Sequence, residues 1–308
     1  MSFEVNNGVW PTLITAFTPD GDLDMAANRT IIRRALDMGA SGVFAVCQSS
    51  EMFFLSMSEK IALAKIAIEE TSGRASVAVS GHTADTIDGQ LAEISELARL
   101  KPDVYVLVTN RLDMNNEGSD VLIGNLKRIL DAFPDVAFGL YECPFPKLRL
   151  LSDKELKWCC DSGRIIFLKD VSCSAQIEAG RAVIARGSAL KLFNANTETL
   201  LASLQSGYQG YNGVMGNMHI DIYRWLYDHP DHELANMVQE WLTEKSFIER
   251  PAYPMVAKYY LQLKGYPVSV YTRSKDMSLL DGTQERRVAE LIDSEKQMRA
   301  MLGLPAQC

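Results

Sequence analysis

Gly42-Val43-Phe44-Ala45-Val46 and Ser76-Val77-Ala78-Val79 are two short apolar runs, and between them stands Ser56-Met57-Ser58-Glu59 followed by Ile61, Ala64 and Ile68. The runs have the length and composition of buried strands. The middle segment opens on a capping box, in which the serine hydroxyl accepts an amide three residues on while the glutamate reaches back to the serine amide. Its apolar residues then recur at helical spacing, and Gly73 offers the left-handed conformation that closes a helix. The unit reads strand, helix, strand, and such a crossover makes the two strands parallel.

Working outward, six further runs read as strands: Thr12 to Phe17, Val104 to Val108, Val136 to Tyr141, Ile165 to Lys169, Leu190 to Phe193 and Gly213 to Met215. A second helical stripe is formed by Ile87, Leu91, Ile94 and Ala98, and a second capping box by Ser152-Asp153-Lys154-Glu155. Eight strands alternating with amphipathic helices predict a closed (β/α)8 TIM barrel of the α/β class, for which 308 residues suffice, since such barrels need roughly 250. After His229-Pro230 the strand signals stop, and residues from about 231 to 302 read as helices punctuated by Pro251, Pro254 and Pro267. The expected organisation is a barrel over residues 1–228 that carries the active site, with a C-terminal helical extension over 229–308 packed on it.

Composition narrows the function. The chain is 47% apolar and 23% charged, with a net charge of −8 and its basic residues scattered, so it lacks the basic footprint of a nucleic-acid binder. No apolar run has the length of a membrane span, and the segment from Met1 to Asn7 has neither the basic nor the apolar part of a secretory signal. A cytoplasmic protein with small-molecule partners is expected, with no cofactor. Six cysteines form no Cys-x-x-Cys pair, and four histidines show no ligand spacing, so reduced thiols and no metal are expected. Asp20-Gly21-Asp22-Leu23-Asp24 begins like a calcium loop, but Met25 replaces the turn glycine; it reads as a turn and a helix cap.

Barrel active sites lie at the carboxyl ends of the strands, which directs attention to the residues finishing each run. In Ile165-Ile166-Phe167-Leu168-Lys169-Asp170 a lysine comes directly off four large apolar residues. A desolvated lysine holds more neutral amine, the form that attacks a ketone to give a Schiff base. A lysine that snorkels to water beside Asp170 would give the same local pattern. Tyr141 ends the preceding strand, where a phenol can relay protons, or can merely bridge core and solvent. Cys47-Gln48-Ser49-Ser50-Glu51 follows the strand that began at Gly42, and its hydroxyls and backbone N–H groups make a cradle for a carboxylate.

Taken in order along the chain from about Gly8 to Gly216, these segments resemble the dihydrodipicolinate synthase and N-acetylneuraminate lyase family of pyruvate-dependent class I aldolases. Cys47-Gln48-Ser49-Ser50-Glu51 stands where that family has Gly-(Thr/Ser)-Thr-Gly-Glu, Tyr141-x-x-Pro144 matches its tyrosine motif, and Lys169-Asp170-Val171-Ser172 matches its Schiff-base lysine motif 28 residues later. Gly210-x-x-Gly213-Val214-Met215 resembles its glycine-rich last strand. The resemblance implies that Lys169 forms the imine, that Tyr141 shuttles protons, and that Ser49 with nearby amides holds the pyruvate carboxylate. It also implies a homotetramer assembled from dimers.

The departures fall where a second substrate would sit. The family's Pro-Tyr-Tyr turn is Asn110-Arg111-Leu112, the threonine linking its two tyrosines is Gln48, and Asn196 stands where an aspartate is frequent. The expected activity is reversible aldol cleavage or condensation of pyruvate with an aldehyde, with a sugar acid as a plausible substrate. Arg111 and Lys147 are candidates to meet an anionic group; Glu142, Asn194 and Asn196 to bind hydroxyls; and Gln48, Ser50 and Met215 to complete the binding site. Two other readings stay open: a 2-oxo acid dehydratase or decarboxylating enzyme using the same imine, and a non-catalytic 2-oxo acid or sugar-acid binding protein on the same scaffold.

Overall fold

Eight parallel strands pair in the order β1-β8-β7-β6-β5-β4-β3-β2. They are β1 (Gly8–Val9), β2 (Gly42–Ala45), β3 (Ser76–Val79), β4 (Val104–Val108), β5 (Phe138–Tyr141), β6 (Ile165–Asp170), β7 (Lys191–Asn194) and β8 (Gly210–Tyr211). The helices are α1 (Met25–Asp37), α2 (Met57–Thr71), α3 (Ile87–Ala98), α4 (Thr109–Leu112), α5 (Ser119–Ala132) and α6 (Asp153–Ser162). They continue with α7 (Ala175–Ala185), α8 (Leu200–Ser206), α9 (Ile220–Asp228), α10 (Ala235–Ser246), α11 (Met255–Leu263) and α12 (Gly282–Met301). This computed structural model describes residues 3–250 and 252–306; Pro251, read as a helix breaker, and the Cys308 thiol lie outside the described residues.

The seam between β1 and β2 is closed beyond the regular ladder. Ser41 N–H donates to the Val9 carbonyl (2.9 Å), Phe44 N–H to that of Pro11 (3.0 Å), and Leu13 N–H to that of Phe44 (2.9 Å). The eight βα units therefore form the expected barrel, and both capping boxes are present, at Ser56 with Glu59 and at Ser152 with Glu155. Asp24 caps α1 through the Ala27 amide, so the calcium-like segment is a turn and a cap.

Two strands sit elsewhere than expected. The run from Thr12 to Phe17 leaves the ladder after a single bridge between Thr12 and Phe44. Pro11 has no N–H to donate, and the buried Asn28 side chain takes both the N–H and the carbonyl of Ala16, so this backbone is satisfied without a strand. The last strand is Gly210–Tyr211 and not Gly213 to Met215, which opens a 3-10 turn over Val214–Asn217. A Cβ on Gly210 would lie 1.9 Å from the Gly8 carbonyl oxygen, so this glycine permits the close approach of β8 to β1.

The barrel interior is filled by side chains, as in folds of this type. Trp10 packs on Phe167 and Phe193 at centroid distances of 5.4 and 5.2 Å, and Phe167 stacks on Phe193 at 4.7 Å. This aromatic layer leaves the carboxyl ends of the strands for chemistry. The helices after α9 are tied to the barrel: Gln239 bonds the Thr197 carbonyl and the Leu201 amide, and Arg299 of α12 pairs with Asp221 of α9 at 2.7 Å. Among the described residues no helix is long and apolar enough to cross a membrane. Cys47, Cys143 and Cys159 are free and buried, whereas Cys173 is exposed in the loop after β6.

Candidate active site

Parallel pairing places Lys169 of β6 directly beside Tyr141 of β5. Successive strand residues alternate in direction, so these two share one side of the sheet while their followers, Glu142 and Asp170, face the other. Lys169 is 4% exposed, with Nζ 4.6 Å from the Tyr141 ring centre and 5.7 Å from that of Phe44. It does not snorkel to water beside Asp170. That carboxylate is engaged by Arg181 (2.7 Å) and by the Tyr208 hydroxyl (2.5 Å). Burial lowers the lysine to a pKa of about 8, against the opposing pull of Cys47, Cys143 and Glu249.

The Tyr141 hydroxyl donates to Gln48 Oε1 at 3.0 Å, and the Cys143 thiol reaches the same oxygen at 3.5 Å. Burial holds the phenol well above its ordinary range, so it stays protonated. Gln48 belongs to the turn after β2, whose backbone takes left-handed conformations at Val46 (φ 53°) and Glu51 (φ 60°). Non-glycine residues in that region carry a cost of about 1–3 kcal/mol each unless the surroundings compel them. At Glu51 the compulsion is visible: its carboxylate accepts from Lys258 Nζ (3.1 Å), Thr272 Oγ1 (2.6 Å), and the amides of Arg273 (2.7 Å) and Ser274 (2.8 Å). The turn is thereby clamped to the segment that follows α11.

A cavity of about 490 Å³ opens at this end of the barrel, lined by Gln48, Ser49, Tyr141, Glu249, Arg250 and Tyr253 among others. Ser49 sits at its wall with Oγ 3.0 Å from Thr12 Oγ1. Ser50, expected to bind substrate, does not line it; its hydroxyl donates to the Leu13 carbonyl (2.6 Å) and accepts from Cys47 N–H, so it shapes the turn.

Other expected binding residues point elsewhere. Glu142 is fully buried on the far side of β5, where Arg181 holds both carboxylate oxygens (2.6 and 2.9 Å) and the amides of Leu151 and Val171 complete the set. Asn194 is likewise buried, donating to Thr199 and Ser203 and accepting from the Asn196 amide. Asn196 caps its own loop through the Glu198 amide. Arg111 is buried against Asp85 and lies over the Phe53 ring at 5.4 Å, so it meets the cavity only through Phe53. Lys147 donates to the Met114 carbonyl, and Met215 is buried beside the lining residue Val214.

Three lining residues, Glu249, Arg250 and Tyr253, come from the junction between α10 and α11 and were not anticipated. No spacing in the sequence ties them to Tyr141 or Lys169; only the prolines around them mark a break between helices. Burial raises the Glu249 carboxyl to about 7, while Arg250 and Lys169 act to lower it.

Residues 6–108 match the dihydrodipicolinate synthetase family. A 4-hydroxy-tetrahydrodipicolinate synthase from Anaplasma marginale is 26% identical over 306 residues, covering 96% of this chain and 98% of that protein. A probable 5-dehydro-4-deoxyglucarate dehydratase from Streptomyces coelicolor is 35% identical over 85 residues, which is 28% of this chain and only 27% of that protein's length. Among solved structures, a prophage protein of the dihydrodipicolinic acid synthase family from E. coli K12, crystallised with pyruvate, superposes with a TM-score of 0.83 at 21% identity, over 94% of this chain and 98% of that one.

Proposed function

We propose, from the likeness of residues 6–108 to the dihydrodipicolinate synthetase family and from the geometry at Lys169, that the chain is a lyase of that family that captures pyruvate or a related 2-oxo acid as a Schiff base on Lys169. The observation that carries this reading is the buried lysine, beside a protonated tyrosine, with a pKa brought down to about 8. At neutral pH about one such amine in ten is unprotonated, a fraction roughly 300-fold above that of an ordinary lysine.

The proposed steps use the placement of Lys169 beside Tyr141. The neutral amine adds to the ketone carbon, Tyr141 moves protons as the carbinolamine forms and loses water, and the iminium then draws electrons from the bond that breaks or forms at the adjacent carbon. Ser49 and the turn amides would hold the carboxylate and so orient that carbon. The reaction proposed is reversible aldol cleavage or condensation with an aldehyde, with sugar acids as candidate substrates. The likeness to the Streptomyces dehydratase favours a second reading, loss of water from a 2-oxo acid through the same imine. The assembly proposed is the homotetramer that the family resemblance implies.

Incubation with pyruvate and cyanoborohydride tests the lysine. One dominant adduct is expected on the peptide containing Ile165 to Asp170, absent from Lys169→Ala and suppressed by a competing 2-oxo acid. Its initial rate should climb about tenfold per pH unit below pH 8 and level off above it, because only the neutral amine attacks. Labelling spread over many lysines, or turnover of a substrate with no adduct, would sink the mechanism.

A further inference from the structure

The hydrogen bond from Tyr141 ends at Gln48 Oε1. A proton relay needs groups that both accept and donate, and a carboxamide oxygen has no proton to hand on. Tyr141 can thus exchange a proton with a bound molecule, but its present partner cannot pass that proton to solvent. Proton transfer at the reacting carbon is thereby open to a second group facing the cavity.

The cavity wall holds two carboxyls, Glu51 and Glu249. Glu51 is spent, since both of its oxygens are engaged by Lys258, Thr272 and two backbone amides. Glu249 is not: among the described residues no hydrogen bond or ion pair engages its carboxylate. Its neighbour Arg250 leans to Glu198, at 4.0 Å, with 69% of its side chain exposed. We propose that Glu249 is a catalytic residue of this site, the general base and acid that removes and returns the proton at C3 of the Schiff-bound 2-oxo acid. The inference rests on the imine chemistry proposed above.

In that step the C3–H bond of the iminium breaks and the proton passes to the Glu249 carboxylate. The bonding pair forms the C2–C3 double bond, and the C=N pair returns to the Lys169 nitrogen, giving a neutral enamine. Reversal consumes the proton, or one exchanged with water, so no oxidant or co-reactant enters. A carboxyl with a pKa of about 7 suits the task, because it can accept and donate near neutrality. The charged and titratable groups around it are Arg250 on its own segment, Lys169 at the end of β6, Glu198 and Cys173 in the loops after β7 and β6, and Tyr211, Tyr223 and Tyr253. Lys275 stands across the same cavity.

The experiment follows pyruvate methyl protons in D2O by NMR, with Lys169→Ala giving the background. Wild-type protein should exchange them, with a rate that rises through about pH 7 as Glu249 ionises. Glu249→Gln should trap pyruvate on Lys169 at least as fast as wild type, because a charge that favours the protonated lysine is removed, yet once the imine has equilibrated it should exchange at least about 100-fold more slowly and without that rise. Glu249→Asp should recover part of the rate. Wild-type exchange in a Glu249→Gln variant that still traps pyruvate overturns the inference alone. So does a parallel loss of trapping and exchange, which would mean the side chain supports the imine and not the proton step. A wild-type protein that traps no pyruvate overturns the Schiff-base reading itself.

Discussion

Tyr141 and Lys169 touch, but different chemistry is assigned to each. The lysine contributes a covalent bond and the phenol a proton, so removing the hydroxyl should leave the bond. Tyr141→Phe is expected to slow turnover of a substrate by roughly 10²- to 10⁴-fold, the usual worth of a general acid–base group, while the borohydride adduct on Lys169 remains detectable. Full turnover by the variant would remove Tyr141 from the shuttle. The same substitution frees Gln48 Oε1 from its hydroxyl donor, leaving the Cys143 thiol as the group near it. A modest change in the position of Gln48 is therefore part of the expected effect, and it would appear in substrate affinity more than in turnover.

Among the elements, the turn after β2 is the one whose shape depends on distant chain. Its left-handed Glu51 is anchored by Lys258 of α11, and both side chains are buried, so neither charge is rescued by water. Breaking a buried pair from one side leaves the other charge uncompensated, at a cost of about 3–5 kcal/mol. Lys258→Met should lower the unfolding free energy by an amount of that order, and with it the melting temperature, and weaken pyruvate capture as well, because Gln48 and Ser49 lie in the same turn. If the variant matched wild type in both thermal melting and adduct yield, the clamp would be without consequence.

At the scale of the whole molecule, the barrel brings the end of β5, the turn after β2 and the junction between α10 and α11 to one cavity, with Lys169 of β6 behind its wall against the Tyr141 ring. Closure is what makes a site out of segments more than a hundred residues apart, from Gln48 to Tyr253. The proposed homotetramer would be formed by copies of this unit, since closed symmetric assembly is the usual outcome for soluble homo-oligomers. Sedimentation or light scattering at micromolar concentration should give about four times the 34.3 kDa chain mass. A monomeric mass would set the tetramer aside.

The residues themselves determined the alternation of strands and helices, because periodicity, capping boxes and stop glycines act over a few neighbouring positions. They also placed Lys169 and Tyr141 at strand ends, since a lysine directly off four apolar residues is a local pattern. Local pattern missed β1 and β8, whose Gly8 seam with Gly210 joins residues about two hundred positions apart, and it missed the Asn28 side chain, twelve positions on, that satisfies Ala16 without a strand. It also assigned Glu142 to the cavity, although the two-residue alternation of a strand sends it away from the side that Tyr141 takes, toward Arg181. Tertiary structure alone decided that Glu249 and Tyr253 line the cavity, because burial and proximity between remote segments are set by how the chain closes. It likewise decided the lysine's reduced pKa, since desolvation is a property of everything packed around Lys169 and not of the residues beside it in the chain.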